Sequence, residues 1–96
     1  MAREVIWADP AWDDLEAAAE YIARDSESYA AAFVQEAKTA AASLSEMAER
    51  GQIVPEFRDA SIRELLVWPY RLVYRLDARH VTILAVIHGA RRARRV

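Results

Sequence analysis

Arginine and histidine are the side chains of this 96-residue sequence that could do chemistry. Residues 51–96 contain nine arginines, and four of them fall in the run Arg91-Arg92-Ala93-Arg94-Arg95. A guanidinium group stays charged and binds planar anions through paired hydrogen bonds, which suits phosphate or carboxylate partners. The ordinary pKa of histidine suits proton transfer near neutral pH, and His88 stands shortly before the arginine run. This half of the chain therefore indicates anion binding, with His88 as a candidate acid or base.

Charge is distributed unevenly along the chain. Residues 1–50 carry four basic and eleven acidic side chains, a net charge of −7, whereas residues 51–96 carry nine basic and four acidic ones, a net charge of +5. The whole chain has a net charge of only −2. Such polarity predicts a partner that meets the basic half through anionic groups.

Several kinds of site can be excluded. The absence of cysteine excludes disulfides, thiolate nucleophiles and cysteine-based metal centres. With two histidines and isolated glycines at Gly51 and Gly89, the sequence lacks a metal-ligand cluster and a phosphate-binding glycine loop. We therefore expect neither a metal nor a cofactor. Residues 3–10 do not resemble a signal peptide and no apolar run reaches membrane-spanning length, so we expect a cytoplasmic protein without membrane contact.

The first half of the chain predicts a short strand followed by two helices. Residues 3–8 favour a strand, and Asp9-Pro10 is typical of a helix start with Asp9 as N-cap. Residues 25–28 supply capping groups for a second helix, which Gly51 ends. Apolar residues at intervals of three and four predict a helical hairpin over about residues 10–50. Its expected buried residues are Trp12, Leu15, Ala19 and Ile22 in the first helix, and Tyr29, Phe33, Ala37, Ala40, Leu44 and Met47 in the second.

The second half predicts three antiparallel strands at 62–68, 70–76 and 81–88. Alternation along residues 70–76 separates Tyr70, Leu72, Tyr74 and Leu76, expected to meet the helices, from Arg71, Val73 and Arg75, expected on an open face. The sequence thus predicts one α+β domain over 1–96 with the order β-α-α-β-β-β. An antiparallel sheet at about 61–88 carries the helical hairpin on one face, and residues 89–96 form a basic tail.

Five segments of the sequence resemble the RelE/ParE superfamily, the toxins of type II toxin-antitoxin systems. The sheet half contains IRELL (62–66), PYRLVYR (69–75) and ILAVIHGAR (83–91). In the helical half, DLEAAAEYIA (14–23) followed by GQIVPE (51–56) resembles the ParE-like, plasmid-stabilisation branch in particular. The resemblance covers essentially the whole chain, with the segments in the family's order and spacing.

The resemblance implies a bacterial toxin that inhibits growth when free. It also implies a cognate antitoxin, ParD-like or similar, that wraps around the toxin in a hetero-oligomer. ParE-like members poison DNA gyrase without being hydrolases, whereas RelE-like members cut messenger RNA on the ribosome. The two branches therefore differ in target and in whether the toxin is an enzyme.

The residues that a RelE-like nuclease needs distinguish the RelE-like branch from the ParE-like branch. RelE-like nucleases carry basic residues on the central strands, an arginine early in the C-terminal tail, and a tyrosine or histidine at its end. Arg71 and Arg91 match the first two, but residues 89–96 contain no tyrosine. We therefore predict a gyrase inhibitor. The alternative is a metal-independent endoribonuclease in which Arg71 stabilises the phosphate, Arg91 assists and His88 donates the proton.

Two further alternatives remain, a plain nucleic-acid-binding module and a non-toxic relic that only binds its antitoxin. Trp68 precedes Pro69 at a strand edge and is a candidate for partner contact, whereas Trp7 and Trp12 are expected in the core. The full set of candidate target- or antitoxin-binding residues is Arg63, Trp68, Arg71, Arg75, His88, Arg91, Arg92, Arg94 and Arg95.

Overall fold

A computed structural model describes residues 2–89, so the predicted basic tail beyond Gly89 lies outside the described residues. The described chain contains two helices and five strands. In order these are β1 Glu4–Trp7, α1 Asp9–Ala23, α2 Glu27–Ser43, β2 Gln52–Ile53, β3 Ile62–Val67, β4 Tyr70–Leu76 and β5 His80–His88. The order of the predicted elements is confirmed, and the short β2 is an addition to it.

Helix α1 starts one residue earlier than the sequence predicts. Ala8, with an extended backbone, is the N-cap and contributes no side-chain hydrogen bond, so the prediction of Asp9 as N-cap is wrong. Asp9 and Pro10 instead occupy the first turn. There a proline loses no helical hydrogen bond, and a carboxylate meets the positive end of the helix dipole.

The buried face of α1 combines two alanines with two of the predicted large residues, Leu15 and Ile22. Ala11, Leu15, Ala18 and Ile22 are buried, whereas Trp12 remains 42% exposed and stacks on Trp7 with 4.4 Å between ring centroids. The predicted burial of Trp12 in the core is therefore wrong, and Trp7 is only half-buried. Alanine allows close approach of neighbouring backbones, which moves the bulky indole to the margin of the interface.

Helix α2 begins at the predicted cap. Ser26 is the N-cap, and its hydroxyl accepts a hydrogen bond from the backbone N–H of Tyr29 at 3.1 Å. The helix ends at Ser43, so the prediction that Gly51 ends it is wrong, and turns lead from Ser43 towards Gly51. Tyr29 and Met47 are 51% and 53% exposed, so their predicted burial is wrong. The buried residues are Ala30, Phe33, Ala37 and Ala41.

The five strands form one mixed sheet in the order β1-β5-β4-β3-β2. Strands β3, β4 and β5 pair antiparallel in sequence order, as predicted, and β2 pairs antiparallel with β3. The prediction of a wholly antiparallel sheet is wrong for β1, which pairs parallel with the start of β5. This geometry arises because β1 joins the free edge of the β3-β4-β5 meander while α1 must fold back over the sheet. No helix within residues 2–89 is both long and apolar enough to cross a membrane.

The main core lies between the helices and the inner face of the sheet, the face that contacts α1 and α2. Tyr70, Leu72 and Tyr74 of β4 belong to it, with Leu76 packed at its margin, which confirms the predicted inner set of this strand. The remaining core residues from the sheet are Val67, Val81, Ile83 and Val86.

The opposite, outer face of the sheet is not open as predicted. Val54, Ile62, Val73 and Ala85 form a second buried cluster there, with Phe57 and Ile87 packed against it. Residues 54–61, which connect β2 to β3, therefore fold back over this face. Val73 and Ala85 are apolar, so covering them removes hydrophobic surface from water.

Candidate functional site

Arg71 on β4 is the best-defined polar centre of the outer face. Its guanidinium donates to the Glu64 carboxylate at 2.7 Å and to the Glu56 carboxylate at 3.2 Å. All three side chains are between 12% and 18% exposed. Burial acts to lower the pKa of Arg71, but the hydrogen bonds and charges of the two glutamates outweigh it and raise this pKa. Arg71 is thus held as a cation between two anions.

Arg63 on β3 forms hydrogen bonds within the fold. Its guanidinium donates to the carbonyl oxygen of Ala60 at 3.0 Å, to that of Glu49 at 3.2 Å and to that of Gly51 at 3.1 Å. These bonds connect the turn after α2 to the segment that precedes β3. Removing Arg63 would therefore disturb the structure as well as any partner contact.

Arg75 differs from Arg71 although both lie on the outer face of β4. Its side chain is exposed at the far end of the strand, where Ile62 is its neighbour on β3. Hydrogen bonds from Ser61 are the main cause of the lowered pKa of the Asp59 carboxyl, and the charge of Arg75 also contributes to it. Arg75 is therefore accessible to an anionic partner.

His88 ends β5 on the side of the helices. A register shift makes Val73 face Ala85 while Tyr74 faces Ile83, so Leu84 is the extra residue of a β-bulge. After the bulge Val86 points into the main core, and His88 follows it by alternation. The imidazole is exposed and meets the ring of Tyr70 edge-on, with 5.4 Å between centroids.

A groove of about 560 Å³ lies beside His88, between α1 and the end of the sheet. Its helical wall consists of Asp14, Ala17, Ala18 and Tyr21, and its sheet wall of Tyr70, Val86, Ile87 and His88. At one end the Asp14 carboxylate accepts the backbone N–H of Val86 at 3.0 Å. Strand β1 pairs only with residues 80–83 of β5, so Asp14 replaces a strand partner at this position. The lining of the groove is about equally polar and apolar, with Asp14 and His88 among its residues and the rings of Tyr21 and Tyr70 at its sides.

The remaining predicted site residues separate into two groups. Trp68 is 69% exposed, at the turn between β3 and β4. Arg91, Arg92, Arg94 and Arg95 lie outside the described residues. Within residues 2–89, no group of three or more histidine or carboxylate side chains is arranged to hold a metal ion.

Sequence reasoning missed Glu56, Glu64 and Asp14. Glu64 faces Val73 across the β3–β4 pair, which makes it a diagonal neighbour of Arg71 on the same face. Pairing the two strands across the Pro69 turn could have identified that contact. Glu56 and Asp14 reach the sheet from a loop and a helix, and no local pattern in the sequence predicts either contact.

The fold and this site define a small α+β protein with a helical hairpin on one side of a mixed sheet. Its residues 5–93 match the family model described as the ParE toxin of the type II toxin-antitoxin system parDE. The chain belongs to the ParE toxin family. A solved structure titled as the chromosomal ParDE toxin-antitoxin system from P. aeruginosa has the same fold, with a TM-score of 0.72 and 22% identity over 91% of this chain and 96% of that one. No curated protein matches the chain.

Proposed function

We propose that this ParE-family toxin acts by binding DNA gyrase, and not by cutting messenger RNA. The ion pairs of Arg71 with Glu56 and Glu64 are the observation that carries the proposal. A nuclease would need this guanidinium to stabilise a phosphate in the transition state. Here the carboxylates of Glu56 and Glu64 already neutralise the Arg71 guanidinium. An incoming phosphate would have to displace these carboxylates, and their negative charge would repel the phosphate.

The environment of His88 supports the same proposal. General acid–base catalysis requires groups within hydrogen-bond reach of the proton that moves. His88 packs on Tyr70 on the helical side of the sheet, whereas Arg71 lies on the outer face with its glutamates. The proton donor and the phosphate stabiliser of the nuclease alternative would therefore lie on opposite faces of one sheet.

A cognate antitoxin is the second partner in this proposal. The chromosomal ParDE system from P. aeruginosa, which is similar in fold to this chain, is a toxin-antitoxin system. An amphipathic antitoxin helix would use the groove between α1 and β5, and an extended, acidic segment would meet Arg75 and the arginines of residues 91–95. We expect growth arrest when the chain is produced alone and normal growth when its antitoxin is produced with it.

The decisive experiment measures both target activities side by side. Purified gyrase is assayed for DNA supercoiling and programmed ribosomes for messenger cleavage, each with wild type and with His88→Ala. Tyr29→Ala, which removes an exposed aromatic ring from the helical hairpin, is the matched control. We expect wild type and the control to inhibit supercoiling and leave the messenger intact. Messenger cleavage that His88→Ala abolishes, with gyrase unaffected, would make the nuclease alternative correct.

A further inference from the structure

Strand β1 is an edge of the sheet and is paired on one side only. Its neighbour is β5, and no other strand within residues 2–89 pairs with it. Directly after β1, the N–H of Ala8 donates to the carbonyl of Ile83 on β5 at 2.9 Å. Because backbone direction alternates along a strand, Val5 and Trp7 direct their N–H and carbonyl groups away from β5, towards the free edge.

The free edge of β1 is limited at both of its ends. Arg3 also faces outwards, but its N–H donates to the carbonyl of Ser45 at 2.8 Å and its carbonyl accepts the Ser45 hydroxyl at 2.9 Å. At the other end, Asp9 is the first residue of α1. The edge therefore offers the outward backbone groups of two residues, Val5 and Trp7.

Opposite charges stand at the two ends of this edge, with an apolar residue at its centre. Ile6 is 40% exposed, Arg3 precedes it by three residues and Asp9 follows it by three. The Arg3 guanidinium donates through Nε to the carbonyl of Asp77 at 2.6 Å. Neither Arg3 nor Asp9 forms an ion pair within residues 2–89. Both charges can therefore still pair with a partner.

The backbone of this edge is complementary to itself. When two copies of β1 run antiparallel with Ile6 facing Ile6, Val5 of each copy faces Trp7 of the other. All the outward groups of both copies are then used, because each such pair exchanges both of its hydrogen bonds. The two neighbouring registers, Val5 on Val5 and Trp7 on Trp7, use only half of these groups. In each of them the other outward residue would face the bonded Arg3 or the helical Asp9.

The same antiparallel register brings opposite charges together. Arg3 of each copy faces Asp9 of the other, and Glu4 faces the uncharged Ala8, so like charges do not meet. A parallel alignment would place Arg3 beside Arg3 and Asp9 beside Asp9. A strand of another protein would need its own acidic and basic residues in the matching order and spacing. A second copy of the toxin supplies both by symmetry, since a two-fold contact uses the same surface on each partner.

We propose that β1 is the contact surface of a symmetric toxin dimer, in which two copies of β1 pair antiparallel about Ile6 and join the two sheets into one. This inference goes beyond the proposed function and does not depend on gyrase as the target. The contact is short, and contacts with a small buried area are weak and transient. The dimer should therefore form at micromolar concentrations of the free toxin.

Sedimentation of the purified toxin over a range of concentrations measures this dimer. Arg3→Asp and Asp9→Arg are the test variants, and Arg24→Asp, a charge reversal at the exposed end of α1, is the matched control. Each test variant turns both attractive pairs of the dimer into repulsive ones. Its dissociation constant should therefore rise about tenfold or more, whereas the control should match wild type.

Mixing the two test variants in equal amounts tests the register itself. In a mixed dimer the aspartate of Arg3→Asp faces the arginine of Asp9→Arg, and the unchanged Asp9 of one chain faces the unchanged Arg3 of the other. Opposite charges then meet at both ends of the contact. We expect the mixture to associate about as tightly as wild type, although neither variant does so alone.

A thermal melt of each variant shows whether it is folded. If Asp9→Arg destabilises α1 too far, Ile6→Lys replaces it, because it sets two ammonium groups against each other at the axis and should leave the toxin monomeric. A wild type that stays monomeric at every concentration would refute the dimer. If Ile6→Lys then weakened antitoxin binding or gyrase inhibition, the edge would belong to that partner. Charge reversals that leave the dimer intact, or a mixture that fails to associate, would refute this contact.

Discussion

Tyr74 is the residue that joins the helical half of the toxin to its sheet. Its ring is fully buried in the main core, and its hydroxyl donates to the carbonyl of Ala48 at 2.7 Å while accepting the N–H of Gly51 at 3.0 Å. Burial raises the pKa of this phenol, which keeps the proton that the bond to Ala48 needs. A Cβ at position 51 would lie 2.5 Å from that hydroxyl and 2.7 Å from the carbonyl oxygen of Glu64, so only glycine fits there.

Replacing Tyr74 with phenylalanine tests this connection. Tyr74→Phe keeps the ring but leaves the N–H of Gly51 and the carbonyl of Ala48 buried without their partner, which costs about 1–3 kcal/mol of the free energy of unfolding. For a domain of this size each kcal/mol lowers the melting temperature by roughly 4–8 °C. Tyr29→Phe, at an exposed ring, is the control and should melt like wild type. Equal melting of Tyr74→Phe and wild type would show that water replaces the lost hydroxyl.

Individual site residues were predictable from the sequence only where strand alternation decides their position. Alternation placed Arg71 and Arg75 on the same face of β4, and both lie there. It could not distinguish an arginine held by two glutamates from an exposed one, because Glu56 reaches Arg71 from a distant loop. The candidate residues were thus assigned to the correct strand, while their electrostatic states depended on tertiary contacts.

The segment 54–61 is the element on which the outer face depends. Val54 and Phe57 cover Val73 and Ala85, and Glu56 reaches Arg71 between them. Its conformation includes Arg58 at a φ of 50°, in the left-handed region that costs energy for a residue with a side chain. Apolar contact and one charged hydrogen bond must together outweigh that cost. We therefore expect local opening of this segment to depend on Glu56.

Hydrogen exchange measures that local opening. Glu56→Ala removes a charge-assisted bond of about 1.5–3 kcal/mol, so exchange of the Phe57 N–H, which donates to the carbonyl of Val54, should accelerate about tenfold or more. Amides of α1 should exchange as in wild type. Glu36→Ala, on the exposed side of α2, supplies the control. Unchanged protection of Phe57 in Glu56→Ala would mean that the apolar contacts hold the segment without Arg71.

Helices and strands with a clear hydrophobic periodicity were predictable from the sequence. Which of their side chains face the core was predictable only in part. The capping segment at Ser26 and the inner face of β4 follow from local chemistry and alternation. Leu15 and Ile22 of α1 are buried as predicted, whereas Trp12 is exposed and the alanines Ala11 and Ala18 face the core beside them. The bulge at Leu84 reverses the direction of His88, and it arises from pairing with β4 rather than from any local signal in β5. Tertiary packing therefore determined the direction of these side chains, which hydrophobic periodicity alone could not predict.

Positive and negative charges are separated along the chain more sharply than a comparison of its two halves shows. Residues 2–89 carry nine basic and fifteen acidic side chains, a net charge of −6, and residues 90–96 add four arginines. Residues 9–43, which contain both helices, have eight acidic and two basic side chains and hence also a net charge of −6. The positive excess of the second half therefore resides almost entirely in residues 91–95, and long-range attraction of an anionic partner should depend on them.

The salt dependence of the proposed gyrase inhibition tests this charge separation. Replacing Arg91, Arg92, Arg94 and Arg95 by glutamine changes the net charge from −2 to −6, whereas replacing all four by lysine keeps it. If the four arginines contact DNA held by gyrase, each contact contributes about 0.9 to the slope of log affinity against log salt. Between about 50 and about 200 mM salt, inhibition by wild type and by the lysine variant should then weaken steeply, while that by the glutamine variant should change little.

Parallel slopes for all three proteins would place the electrostatic contact elsewhere, with Arg75 as the next cation to replace. A lysine variant that keeps the slope but needs more protein for half inhibition would show that the guanidinium groups also form paired hydrogen bonds, which an ammonium group cannot replace.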